Sequence, residues 1–216
     1  MKQLIIIFFL FFILNNFSFG QIKTFDIPIE NGDTSLWYKW KHRDIKQMDI
    51  PDLRISSDNF HFRFWTEIQI VDIWTNDFKT INGFYLNYTI KTTNNKKNPT
   101  KIFFNKTSID TVTARKIYNL LVDNLIFQIP SDYKINGWNQ GDDGEEFLME
   151  YSTKTFYTFK EFWTPSAYKD IKEAIIIDDF TKKLKLILNF DENWNRFIHG
   201  LPRGCYRAGE ITQICI

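Results

Sequence analysis

Hydrophobic and polar positions change their period several times along this chain, and each change marks an element. Leu4 to Leu14 is an unbroken apolar run, ended by Asn15 and Asn16. From residue 60 the period is 2. Phe60, Phe62 and Phe64 alternate with His61, Arg63 and Trp65, which predicts a strand. Ile68 and Ile70 continue the alternation, and Val71 and Ile73 take it up out of phase, so a bulge or bend is expected near residues 70–71. Asn82-Gly83 is the preferred pair of a two-residue type I′ hairpin turn. After it, Phe84, Leu86, Tyr88 and Ile90 face one way and Tyr85, Asn87, Thr89 and Lys91 the other. The polar run 92–100 predicts an exposed loop, and 101–106 a returning strand.

At Asp110 the period becomes 3.6. Asp110 or Thr113 can cap a helix in which Ala114, Ile117, Leu120, Leu121 and Leu125 share a face, and Pro130 stops it. Residues 131–144 read as a polar loop. Residues 147–152 and 156–164 form a second hairpin across Thr153-Lys154-Thr155. Thr164-Pro165-Ser166 then opens a long helix with Ile177, Phe180, Leu184, Ile187 and Leu188 spaced for burial. Asp191 is placed to cap a short third helix through Trp194 and Phe197. The stretch 21–59 is irregular, with Pro28, Asn31-Gly32-Asp33 and Pro51 as punctuation and one strand expected at 36–40. Hairpins make strands antiparallel, and helices are too few for a βαβ series. The expected class is α+β: an antiparallel sheet built from hairpins, with two main helices packed on one face.

The apolar run at the start changes the picture most. Lys2 precedes it, its eleven residues fall short of the roughly 20 that span a bilayer, and Ser18 and Gly20 supply small residues before Gln21. Residues 1–20 therefore read as a secretory signal peptide, and 21–216 as one exported domain, secreted or periplasmic, with no stable membrane span after cleavage. An uncleaved anchor is the competing reading. Of the 27 basic residues only Lys2 lies in that segment, so the remainder balances the 26 acidic residues. A balanced charge argues against a nucleic-acid partner, whose phosphates need a basic face.

Export also bears on Cys205 and Cys215, the two cysteines. In an oxidising compartment an even pair reads first as a disulfide, here pinning a hairpin turned at Ala208-Gly209-Glu210. Candidate chemistry elsewhere is sparse. His42 and His199 stand alone, and there is no HExxH, GxSxG or P-loop. The segment 136–146 is the most site-like, holding Trp138, Asp142, Asp143, Glu145 and three glycines. From Asn139 to Glu150 it partly mimics a calcium loop, with Asn and Gly where carboxylates belong at positions 1 and 3, so no metal and no cofactor are expected. Carboxylates around Asp142–Glu150 could also serve glycoside hydrolysis, provided two of them face each other across a cleft. A second candidate is an aromatic platform: Tyr157, Phe159 and Trp163 on one strand, or His61, Arg63 and Trp65 on another. The latter is expected to be the exposed face, because the all-Phe face must be buried.

The segment ending Phe19-Gly20-Gln21, the stretch from Gly137-Trp138 to Gly144, the run 157–166 and the ending Gly204-Cys205-Tyr206 together resemble small exported proteins of unknown function from Bacteroidota of flavobacterial type. That resemblance implies an exported bacterial protein and transfers no activity. The expected role is non-enzymatic: binding an unidentified protein or glycan ligand, or serving an envelope or secreted assembly. The alternative is a carbohydrate-active hydrolase.

Overall fold

A computed structural model describes residues 23–92, 101–141, 143–209 and 212–216. The signal peptide expected at 1–20, most of the loop expected at 92–100, and Asp142 lie outside the described residues. Among the described residues the fold is α+β, a mostly antiparallel nine-stranded sheet with four helices. Its strands are β1 (Thr24–Asp26), β4 (Phe60–Trp65), β5 (Gln69–Thr75), β6 (Asn82–Lys91), β7 (Ile102–Ser108), β8 (Glu146–Ser152), β9 (Phe156–Trp163), β10 (Cys205–Ala208) and β11 (Thr212–Cys215). A separate two-stranded ribbon joins β2 (Ile29–Glu30) to β3 (Asp33–Thr34). The order across the sheet is β1-β9-β8-β4-β5-β6-β10-β11, and β7 pairs with β6. β1 runs parallel to β9; the other pairings among the described residues are antiparallel.

The all-Phe face is buried, as its alternation requires. Phe60, Phe62 and Phe64 pack with Val71, Ile73, Phe147, Met149 and Phe162. Helices α2 (Thr111–Asp123) and α3 (Lys172–Ile187) cover them, contributing Ala114, Ile117, Leu121, Ala174, Ile177, Phe180 and Leu184. Phe180 sits edge-on to Phe62 and Phe64 at 6.1 and 5.8 Å. Asp110 caps α2, accepting from the N–H groups of Val112 and Thr113 at 3.0 and 2.9 Å. α4 (Phe190–His199) follows α3 through Asn189, whose positive φ of 47° turns the chain; Asn189, rather than Asp191, holds the cap position. Pro165–Ala167 form a 3-10 turn, and α3 starts only at Lys172.

The opposite face carries the main departures from expectation. Residues 36–40 are helix, not strand: α1 spans Leu36–Gln47 and is capped by Ser35, whose Oγ accepts from Tyr38 N at 3.3 Å. α1 lies over a second core of Ile45, Met48, Leu53, Trp65, Ile70, Leu86, Tyr88, Leu148, Tyr157 and Phe159. The phase break near residues 70–71 is a hairpin and not a bulge. β4 and β5 are joined at 66–68, where Thr66 Oγ1 accepts from Gln69 N at 3.0 Å, and Phe64 opposes Val71. Asn82-Gly83 lies inside β6, opposite Trp74 and Ile73. The turn falls at 76–81, where Thr75 Oγ1 accepts from Phe78 N and Asp77 Oδ1 accepts from Thr80 N at 3.0 and 2.8 Å. Gly83 is needed for close approach: a Cβ there would stand 2.8 Å from Asp72 O and from Ile73 Cγ2.

A seam in the sheet positions the site described below. β5 and β7 both pair with Phe84–Asn87, so they must lie on opposite edges of β6. β5 leaves its edge at Asn87, and β10 takes up that same edge at Ile90 and Lys91. Tyr88 and Thr89 therefore lie between two strand ends. The disulfide is present, Cys205 opposing Cys215 across β10 and β11.

Candidate functional site

His61, Arg63 and Trp65 are not an exposed platform. All three are buried, at 2%, 0% and 0% exposure. Their charge is neutralised across strands, which is why the face closes. Arg63 pairs with Asp72 on β5, Nη2 to Oδ2 2.6 Å and Nε to Oδ2 2.7 Å, and with Glu150 on β8 at 3.3 Å. Its Nη2 also donates to Pro51 O at 2.7 Å, tying down the segment that enters the 3-10 turn Leu53–Ile55. Glu150 also accepts from Trp65 Nε1 and from the Tyr157 hydroxyl, both at 2.8 Å.

His61 holds a carboxylate at each ring nitrogen: Nδ1 meets Asp58 at 2.9 Å and Nε2 meets Asp72. Burial alone pushes its pKa down, but Asp72 and Asp58 outweigh that and raise it. The hydrogen bond from His61 lowers Asp58 to about 2, and Arg63 and His61 hold Asp72 low against its burial. Ionised carboxylates only accept, so both imidazole nitrogens donate and the ring is an imidazolium. His42 on α1 reaches the same cluster, its Nε2 3.3 Å from the Tyr157 hydroxyl, and burial lowers its pKa. None of the described cavities is lined by His61, Arg63, Asp72 or Glu150. This buried, ion-paired cluster anchors α1 and the 51–58 segment.

The other candidates from the sequence are dispersed. Trp138 is buried in the helix-covered core, where its Nε1 donates to Trp163 O at 2.8 Å and its ring packs on Tyr168. Asp143 and Glu145 are exposed, and Glu145 lies 3.7 Å from Lys185. Glu146 accepts from Phe162 N at 3.0 Å. Glu146 and Glu150 sit four positions apart on one strand, roughly 13 Å along it, and Glu150 is closed behind Arg63, Trp65 and Tyr157. Glu145 and Glu146 line one cavity of about 180 Å³ with Glu67, Asp191 and Lys185, and Asp143 and Glu150 are not part of its lining. Among the described residues, no group of three or more His, Cys, Asp or Glu side chains is placed to hold a metal ion.

Two buried acids outside these candidates are perturbed. Burial raises Glu161 on β9 to about 7. One of its carboxyl oxygens accepts from the hydroxyl of Ser35, the cap of α1. Burial also raises Asp132, although it accepts from Trp163 N at 2.7 Å.

One open concavity lies at the seam. A cavity of about 380 Å³ is floored by Tyr88, Thr89 and Ile90, at the lower end of the ~300–1,000 Å³ typical of small-ligand sites. Its roof is one face of α1, with Trp37, Trp40, Lys41 and Asp44 spaced at i, i+3, i+4 and i+7, and with Arg43 beside them. Glu67, from the β4–β5 turn, and Arg207 and Gly209, from the β10–β11 hairpin, complete the lining. Arg207 pairs with Ile90, a side chain of the α1 face, so register directs the guanidinium toward the helix. Gly209 has φ +86°, a conformation that strains any residue with a Cβ, and it lies against the Glu67 carboxylate. Trp37 and Trp40 meet edge to face at 5.5 Å, and Trp40 remains 41% exposed.

Comparison of the chain with protein-family models and with curated proteins gives no match in either. The groove residues escaped sequence reading because 36–40 looked like a strand. The helical spacing of Trp37, Trp40, Lys41 and Asp44 was the available signal.

Proposed function

We propose that this protein is an exported, non-enzymatic binding domain whose ligand is a saccharide, held in the groove between α1 and the β6–β10 seam. The observation that carries this reading is Trp40, 41% exposed on a concave site that also offers Arg43, Asp44 and Arg207. An indole face stacks on the apolar face of a pyranose ring, while guanidinium and carboxylate groups pair with its hydroxyls. Export is supported by the apolar run Leu4–Leu14 and by the disulfide, a bond that persists in oxidising compartments. The test is a glycan array probed with residues 21–216, followed by calorimetric titration of the hits. Trp40→Ala should abolish binding while the melting temperature stays within a few degrees. Absence of binding to every glycan, or binding undiminished in Trp40→Ala, would overturn the proposal.

A further inference from the structure

Resting on that reading, we infer that the groove selects acidic saccharides, with a uronic-acid carboxylate taken between Lys41 and Arg207. The ammonium of Lys41 is unusual in being both buried, at 7% exposure, and part of the groove wall. It donates to the Tyr88 hydroxyl at 2.9 Å, and that hydroxyl donates onward to Thr66 O at 3.0 Å. The rings of Trp65, Tyr88 and Trp37 surround it at 5.2, 5.4 and 5.5 Å. An ammonium has three N–H donors. One is spent on Tyr88, and no carboxylate among the described residues lies within 4.0 Å of it. The aromatic box that would otherwise take a cationic ligand is therefore filled by the protein's own cation, carried by a residue of the groove lining.

Arg207 supplies the second cation, from the opposite wall. It is exposed and makes no ion pair among the described residues. Its planar fork suits a carboxylate. The negative groups of the groove are placed otherwise. Asp44 is engaged by Arg43, Nε to Oδ1 3.1 Å, and Glu67 packs against Gly209. Asp44 lines the groove as an acceptor for ring hydroxyls. The groove thus combines an indole surface, two donors with open valence for one anion, and an acceptor for neutral hydroxyls. That set matches a sugar bearing a carboxylate better than a neutral one.

The experiment compares a glucuronate-containing oligosaccharide with the same oligosaccharide after reduction of its carboxyl groups, titrated calorimetrically into the disulfide-bonded protein. Charge-assisted hydrogen bonds predict about ten- to hundredfold tighter binding of the acidic form at low salt, narrowing as ionic strength rises. Arg207→Gln should reduce that preference toward unity, weakening binding of the acidic form more than binding of the reduced form; Arg207→Lys should restore part of it. Lys41→Gln, which can keep the Tyr88 bond, should act the same way, and its melting curve controls for folding. Equal affinity of the wild-type protein for the two oligosaccharides overturns the inference and leaves the saccharide reading standing. Binding of neither, together with an empty array, overturns both.

Discussion

Replacing Glu161 by Gln should make this protein more stable at neutral and alkaline pH, and should do so in a pH-dependent way. The Glu161 side chain is 2% exposed, and burial raises its pKa from 4.5 to about 7. Ser35 donates to it, and the nearby charged groups are Glu30 and Asp132, both acidic, so nothing facing it favours ionisation except the Ser35 hydroxyl. A raised acid binds more protons folded than unfolded, so stability is full below pH 4.5 and falls as pH rises toward about 7, then levels off. A shift of this size corresponds to about 3 kcal/mol of stability lost across that window, as an order of magnitude. Gln keeps an acceptor for Ser35 and cannot ionise. Urea denaturation of wild type and Glu161→Gln at intervals from pH 4 to 9 should give curves that coincide at the acid end and separate by up to that amount above pH 7. His42 titrates on folding in both proteins and cancels, whereas Asp132 is coupled to Glu161, so the difference curve reports residue 161 together with that coupling. Parallel pH profiles for the two proteins would refute the reasoning.

Other perturbations follow from the same geometry. Arg63→Leu leaves Asp72 and Glu150 buried without their guanidinium and should cost about 3–5 kcal/mol, measured by chemical denaturation. Gly83→Ala forces a Cβ to 2.8 Å from Asp72 O and Ile73 Cγ2 and should destabilise by about 1–3 kcal/mol, visible as a lowered melting temperature. Changing both Cys205 and Cys215 to Ser removes a short loop closure worth about 3 kcal/mol or less, while far-ultraviolet circular dichroism should report the rest of the sheet intact.

Legibility in the sequence tracked how cleanly apolar positions repeat. α2, α3 and the β8–β9 hairpin could be read because their buried positions are aliphatic or aromatic and their exposed positions polar. α1 could not, because the face it buries includes Lys41, His42 and Asp44, residues that a binary pattern scores as solvent-facing. The same blindness misplaced His61 and Arg63. Their burial depends on Asp72 and Glu150 standing opposite Arg63 on the flanking strands, and partners become visible only once register is known. Asn82-Gly83 misled for another reason: the glycine answers a crowded approach to Asp72 and Ile73, a tertiary demand that mimics turn chemistry. The groove was illegible as a whole, since its floor is a gap between strands that are distant in sequence.

That gap fixes an order of events. The helix roof comes from residues 37–44 and the hairpin wall from 207–209, while the floor they share comes from the middle of the chain. The groove is therefore one of the most non-local parts of the molecule, and the loop-closure entropy of joining its walls is met only when the last hairpin docks on β6. Both cores can be compact before then, with the cysteines still reduced, because disulfide formation takes seconds to hours. Competence to bind should thus lag collapse during refolding and rise together with loss of free thiols. A ligand present at 100 times its dissociation constant would favour the docked hairpin by about 2.7 kcal/mol, acting as a template for the final step of its own receptor's folding.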